Sequence, residues 1–210
     1  MISVALSMIV FAFIGAISPG PVNIIATGAG ANFGFMRVLP YVLGTTFSYT
    51  IVVFLVGAGL NVLLELYPQI TQSLQYIGGA FLLYMSYKIA MLKPVPMTTQ
   101  ALNSQQNKGF LQTPPSFAHG FLAQSLNPKA WLVSMSGVSL FVSANSPASL
   151  YLLIFCVISF LCCFIGVGSW AIMGQLISRF LSNEKRQRFF NLIMGLLLSS
   201  TVFFIFMAKL

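Results

Sequence analysis

Acidic side chains are almost missing from this chain. Asp and Glu together number two against ten Lys and Arg in 210 residues, and charged residues of both signs make up only 6%. A soluble domain carries roughly 25% charged residues, so there is too little polar surface here to face water. Cysteine is also scarce. Cys156, Cys162 and Cys163 fall in one apolar stretch, and an odd number without CxxC spacing yields neither a disulfide framework nor a metal site. In such a stretch cysteine serves as a small packing residue. Short-range alternation of apolar and polar residues is missing too. The run Leu152-Leu153-Ile154-Phe155-Cys156-Val157-Ile158 is continuous, whereas a transmembrane barrel alternates. No Lys or Arg precedes Arg37, and a cleaved signal peptide wants a basic start, so the first apolar segment is expected to be a retained span.

What is present is hydrophobic: 58% of the residues, with a mean hydropathy of +0.91. About 20 apolar residues cross a bilayer as a helix. The chain accordingly reads as an all-α membrane protein with six spans, roughly 2–32, 39–64, 70–91, 117–142, 149–177 and 188–208. Basic residues gather in alternate connections: Arg37, then Lys88, Lys93 and Lys108, then Arg179, Lys185, Arg186 and Arg188. The opposite side holds only Lys209. By the positive-inside rule the basic loops are cytoplasmic and both termini lie outside. The net charge of +8 then reflects orientation. No basic platform interleaved with aromatics is present, so nucleic acid is not an expected partner.

Residues 92–115 are rich in Gln, Asn, Thr and Pro and read as a cytoplasmic linker between two repeats, 1–91 and 116–210. A single offset maps Ser18-Pro19 onto Asn127-Pro128, and Gly57-Ala58-Gly59 onto Gly166-Val167-Gly168. Each repeat has three spans, an odd number, so the second must enter the membrane from the other side. That is a 3+3 inverted repeat, a common design of secondary transporters.

Two helix-breaking signatures, Ser18-Pro19-Gly20-Pro21-Val22-Asn23 and Asn127-Pro128-Lys129, sit inside the first and fourth spans. Proline lacks an N–H and clashes with the carbonyl four residues back. Pro19 and Pro21 thus free the carbonyls of Gly15 and Ile17, and Pro128 frees that of Gln124. Proline is well placed at the first position of a new helix, with Ser or Asn before it as a cap. Each signature therefore predicts that a helix stops, Ser18 or Asn127 caps, and a second helix restarts. Restarted N-termini suit a carboxylate. The freed carbonyls and the side chains of Asn23 and Asn127 suit an ammonium group, with Gly20 allowing close backbone approach. Matched breaks in corresponding places point to a binding site for a small zwitterion.

Lys129 is the strongly basic residue placed within a span, and a charge there marks a pathway or an ion pair. It is expected to attract a substrate carboxylate or to titrate during transport. No Asp or Glu occupies the middle of a span. The coupling candidates are therefore Glu65 at the outer end of the second span, His119 near the inner end of the fourth, Lys129, and the substrate's own amine. Gly44, Gly78, Gly79 and Gly195 read as helix-packing positions.

The run Ser18-Pro19-Gly20-Pro21-x-Asn23, followed by Gly34, Gly44 and Gly57-x-Gly59, resembles the LysE/RhtB amino-acid exporter family. So do Gly78-Gly79-Ala80-Phe81-Leu82-Leu83-Tyr84 through Lys88, and Gly120-Phe121 through Gln124, Asn127-Pro128-Lys129-Ala130. The resemblance covers nearly the whole chain. It implies a multi-pass exporter of amino acids or their derivatives in the bacterial inner membrane, driven by the proton gradient, with no cofactor and no enzymatic activity. It also supplies the direction of transport. Members that resemble homoserine and threonine exporters have Gly-Asp where this chain has Ser48-Tyr49. Members resembling cysteine/O-acetylserine exporters lack that acid, which tilts the expected cargo towards a small neutral amino acid. The substrate site is expected to comprise Ser18, Pro19, Gly20, Pro21, Asn23, Gln124, Asn127, Pro128 and Lys129. The partners are the substrate, membrane lipid and, left open, a second copy of the chain. The rival readings are a passive channel, a thiol-redox membrane protein, which would want a cysteine in each half, and a non-transporting membrane subunit.

Overall fold

A computed structural model describes residues 2–60, 66, 68–92, 113–178 and 183–207. Glu65, Arg179, Lys209 and most of the linker, with Lys93 and Lys108, lie outside the described residues. No strand occurs among the described residues. The helices are α1 (Ile2–Ile17), α2 (Pro21–Phe33), α3 (Phe35–Leu55), α4 (Pro68–Ala90), α5 (Phe117–Ser125), α6 (Pro128–Gly137), α7 (Ala148–Ser178) and α8 (Glu184–Met207). Wide π-type turns extend α3 over Val56–Leu60 and α6 over Val138–Ser143.

Phe35–Gly59 and Ala148–Ser178 are each long and apolar enough to cross a membrane. Helices α1 and α2 qualify together as one span bent by 61° at the Ser18–Gly20 interruption. Gly34 joins α2 to α3 with φ +78°, a left-handed backbone that glycine adopts without steric cost. Its N–H closes α2 on the Gly30 carbonyl, and the next amide, Phe35 N, donates to Gln175 Oε1 at 2.6 Å. The chain thus reverses in one residue.

Helix α7 is the central post. α1, α2 and α3 all pack on it, α5 packs on α3, and α4 pairs with α8. Outward positions are apolar: Leu153, Val157, Leu161 and Ile165 form an exposed row along α7 at four-residue spacing. Inward positions include Asn23, Thr45, Thr46, Ser48, Gln124, Asn127, Ser134 and Ser159, all buried. A contiguous apolar exterior over a partly polar interior suits a lipid solvent and would be a liability in water.

With no hydrophobic drive between helices in lipid, close backbone approach carries the packing. A Cβ on Gly30 would strike the Ala171 carbonyl oxygen, and one on Gly174 the Thr27 carbonyl oxygen, so α2 and α7 meet through a reciprocal glycine pair. Helices α3 and α5 meet the same way, Gly44 against the Phe117 carbonyl and Gly120 against the Tyr41 carbonyl. Adding a methyl group at such a crossing forces the backbones apart, at roughly 1–3 kcal/mol. Gly44→Ala and Gly174→Ala should therefore lower the melting temperature of the purified protein in detergent. Gly168→Ala, whose Cβ would find nothing nearer than Phe35 at 3.8 Å, should leave it unchanged.

Candidate functional site

In a bilayer each backbone carbonyl freed by an interruption needs a partner from the protein, and at the first interruption every one can be traced. Ser18 N closes on Ile14 O at 3.0 Å. Gly15 O accepts from Ser18 Oγ at 3.0 Å, and Ala16 O from Asn23 Nδ2 at 2.8 Å. Ile17 O accepts from Trp170 Nε1 at 2.9 Å. Ser18 O accepts from Asn23 Nδ2 at 3.0 Å and from Lys129 Nζ at 2.8 Å. Pro19 O accepts from Lys129 Nζ at 3.3 Å. The carbonyls of Gly15 and Ile17 are thus already satisfied within the protein.

The second interruption is built differently. Asn127 is the N-cap of α6, its Oδ1 accepting from Lys129 N at 3.1 Å, while Ala130 N closes on Asn127 O at 3.0 Å. Gln124 O accepts from Asn127 N at 3.1 Å, and Ser125 O from Trp131 Nε1 at 2.7 Å. The chain's two tryptophans therefore do one job, each covering the last carbonyl of the helix before an interruption. The indole N–H is a donor only, which suits a lone carbonyl in an apolar setting.

The caps expected of Ser18 and Asn127 separate here. Asn127 caps α6, but the N-cap of α2 is Gly20, with no side chain on the helix amides. The Ser18 hydroxyl instead turns back onto α1 and also accepts from Lys129 Nζ at 2.7 Å. Pro21 takes the first position of α2, and the amides of Val22 and Asn23 have no acceptor among the described residues. Asn23 spends its amide donor on the carbonyls of Ala16 and Ser18, leaving Oδ1 with nothing to accept.

Between the interruptions lies a narrow, partly open cleft with about 30 Å³ of free space. Gly20, Asn23, Gln124, Asn127 and Lys129 line it, with Gly15, Ala16, Val22, Ala130, Val133 and Val167 as its apolar walls. Ser18, Pro19, Pro21 and Pro128 shape the interruptions without lining the cleft. Gly20 is extended, with φ near 180°, and the space beside it is filled by the Lys129 chain. His119 sits apart at the start of α5, where its Nδ1 lies 2.8 Å from Ser116 Oγ and accepts from Ser116 N at 3.2 Å in a capping box.

Tyr49 and Cys163 also line the cleft, the latter expected from the sequence only as a small packing residue. Below them the Tyr49 hydroxyl approaches Ser134, and Cys163 approaches Thr46. Ser134 Oγ is nonetheless buried without a well-formed hydrogen bond. One signal was available in the sequence: Tyr49 belongs to the Ser48-Tyr49 pair at which the family resemblance set this chain apart. The tryptophans carried a weaker one, since Trp131 follows the Asn127 signature by four residues.

An all-helical protein with an apolar exterior, and with a polar cleft between two helix interruptions, defines a membrane translocator. The family model described as LysE type translocator matches residues 13–208, and the chain belongs to that family. Among curated proteins it is similar to the cysteine/O-acetylserine efflux protein of Salmonella typhimurium (strain LT2), 27% identical over 188 residues, and to that of Escherichia coli O6:H1, 28% identical over 190. Each alignment covers 90% of both chains. No solved structure matches the chain.

A main-chain carbonyl left without its donor inside a bilayer has no water to replace it. Trp170→Phe, which keeps an aromatic ring but strands Ile17 O, should lower the melting temperature in detergent. Gly20→Ala should not, because its Cβ would meet Lys129 only at an ordinary 3.4 Å.

Proposed function

We propose that the protein is a secondary active exporter of small neutral amino acids across the bacterial inner membrane, cysteine and O-acetylserine being the first candidates. One observation carries the reading. The cleft offers free helix amides, oxygen acceptors and a single cation, Lys129, between two interrupted helices, and no acidic residue lines it. Such a lining suits the carboxylate and ammonium of one zwitterion. It disfavours a substrate with a second positive charge, which would meet Lys129 with no anion to offset it. The carboxylate would sit at the Val22 and Asn23 amides at the N-terminus of α2, with Lys129 in reach. Asn23 Oδ1 and the oxygens around Ser18 and Pro19 would receive the amine. Family membership and the efflux names of the relatives support the outward direction and the cargo class.

The six-span, 3+3 inverted arrangement is part of the same proposal. Helices α4 and α8, 23 and 24 residues long, rise about 35 Å at 1.5 Å per residue, enough to cross. Helices α5 and α6 would form the second broken span. The packing supports a two-fold relation, since α1 and α2 pack on α7 while α5 and α6 pack on α3, with α3 against α7 and α4 against α8 as the shared pairs. The basic loops would then be cytoplasmic and both termini outside. Of the coupling candidates, Lys129 lies in the cleft, His119 is engaged as a helix cap, and Glu65 lies outside the described residues.

The test is efflux from proteoliposomes loaded with labelled cysteine, O-acetylserine or lysine, with and without an imposed pH gradient. Gradient-stimulated efflux of the neutral substrates, with lysine retained, is expected. Lys129→Ala should reduce that efflux at least about tenfold, the scale of a lost charge-assisted hydrogen bond, while inserting normally. Efflux that ignores the gradient would instead mark a passive channel and overturn the exporter reading.

A further inference from the structure

We infer that Lys129 is a tethered stand-in for the substrate's ammonium group, and that an amino acid enters the cleft by displacing it. The inference rests on the amino-acid reading above and adds what Lys129 holds in place and which ligand chemistry displaces it.

A lysine ammonium has three N–H donors and no acceptor. Lys129 Nζ lies 2.8 Å from Ser18 O, 2.7 Å from Ser18 Oγ and 3.3 Å from Pro19 O. Three oxygens therefore surround one nitrogen, and every donor is engaged. Two of the three are main-chain carbonyls of the first interruption. Asn23 Nδ2 also donates to Ser18 O, while Pro19 O has Lys129 as its donor among the described residues. Such a set of oxygens recognises a primary ammonium as such and is indifferent to the chain that carries it.

The lysine is held so that only its side chain need move. Its backbone N–H is fixed by Asn127 Oδ1 at 3.1 Å, while the side chain crosses the gap between the two interruptions over Gly20, where no Cβ intrudes. Saturated as it is, Lys129 cannot donate to a carboxylate without leaving at least one oxygen. A carboxylate arriving at the free Val22 and Asn23 amides supplies the attraction that draws it away. The vacated oxygens then need a donor, and the ligand's own ammonium provides one. Each half of the exchange compensates the other. An amine without an acid strands the displaced lysine, and an acid without an amine strands the oxygens. Opening the site thus requires both groups on one small molecule, which defines the substrate class as primary amino acids with free amine and free acid.

The experiment measures binding by isothermal titration calorimetry, with the full-length protein in detergent and under reducing conditions. The probes are L-cysteine, cysteamine, which lacks the carboxylate, and 3-mercaptopropionate, which lacks the amine. The wild type should bind L-cysteine at least about tenfold more tightly than either half-ligand. In Lys129→Met the oxygens stand empty, so cysteamine should bind at least about tenfold more tightly than it does to the wild type, and its disadvantage against L-cysteine should shrink. Lys129→Ala, which empties the same oxygens, carries the same comparison if the Met variant does not insert. A wild type that binds L-cysteine while neither variant admits cysteamine would overturn the tethered-ammonium assignment and leave the exporter reading intact. A wild type that binds no L-cysteine, O-acetyl-L-serine or other common amino acid would overturn both.

Discussion

A hydrocarbon solvent offers nothing to a backbone carbonyl, so any interruption in a membrane helix must be answered by the protein itself. That constraint organises the centre of this molecule. Pro19 and Pro21 remove donors from one helix; the two carbonyls they orphan, Gly15 O and Ile17 O, take Ser18 Oγ and Trp170 Nε1, and the carbonyls beside them take Asn23 and Lys129. Pro128 does the same on a smaller scale, answered by Asn127 and Trp131. Satisfying these groups takes Ser18, Asn23, Asn127, Lys129 and both tryptophans. What remains unsatisfied, the amides at the start of α2 and the side-chain Oδ1 of Asn23, is what the cleft can offer a ligand.

The two interruptions are alike in sequence and unlike in chemistry. Helix α6 begins with its own cap, Asn127, whereas α2 begins at Gly20, which has no side chain to give. The positive end of the α2 dipole is therefore left open beside the one cation of the cleft, and the equivalent end of α6 is neutralised by its own residue. An asymmetric site is what a zwitterion requires, since its two ends are chemically different. Lys129 links the halves directly: it belongs to the second interruption by sequence and to the first by hydrogen bonding.

Around this centre the packing depends on the absence of side chains. The α2–α7 and α3–α5 crossings place glycine against carbonyl reciprocally, so main chains touch where side chains would otherwise separate them. The buried thiols share this interior. Cys163 faces the cleft and Cys162 lies 3.8 Å from Ile9 O, all three cysteines being free.

The sequence by itself determined the helical membrane character, because charge and hydropathy are additive along a chain and need no partner. It also marked two places where a helix is expected to stop, because the missing proline donor is a local fact, and it identified Asn127 as a cap, because a cap acts on the next two or three residues. It did not reveal that Ser18 would leave that role to Gly20. Nor did it reveal that both tryptophans would cover stranded carbonyls, or that Tyr49 and Cys163 would stand in the cleft wall. Those outcomes join residues far apart in the chain: Lys129 to Ser18, Trp170 to Ile17, Tyr49 to Ser134. An orphaned carbonyl announces in sequence that it needs a donor. Only the helix that tertiary packing brings opposite it decides which donor it receives, and so which groups are left for a substrate.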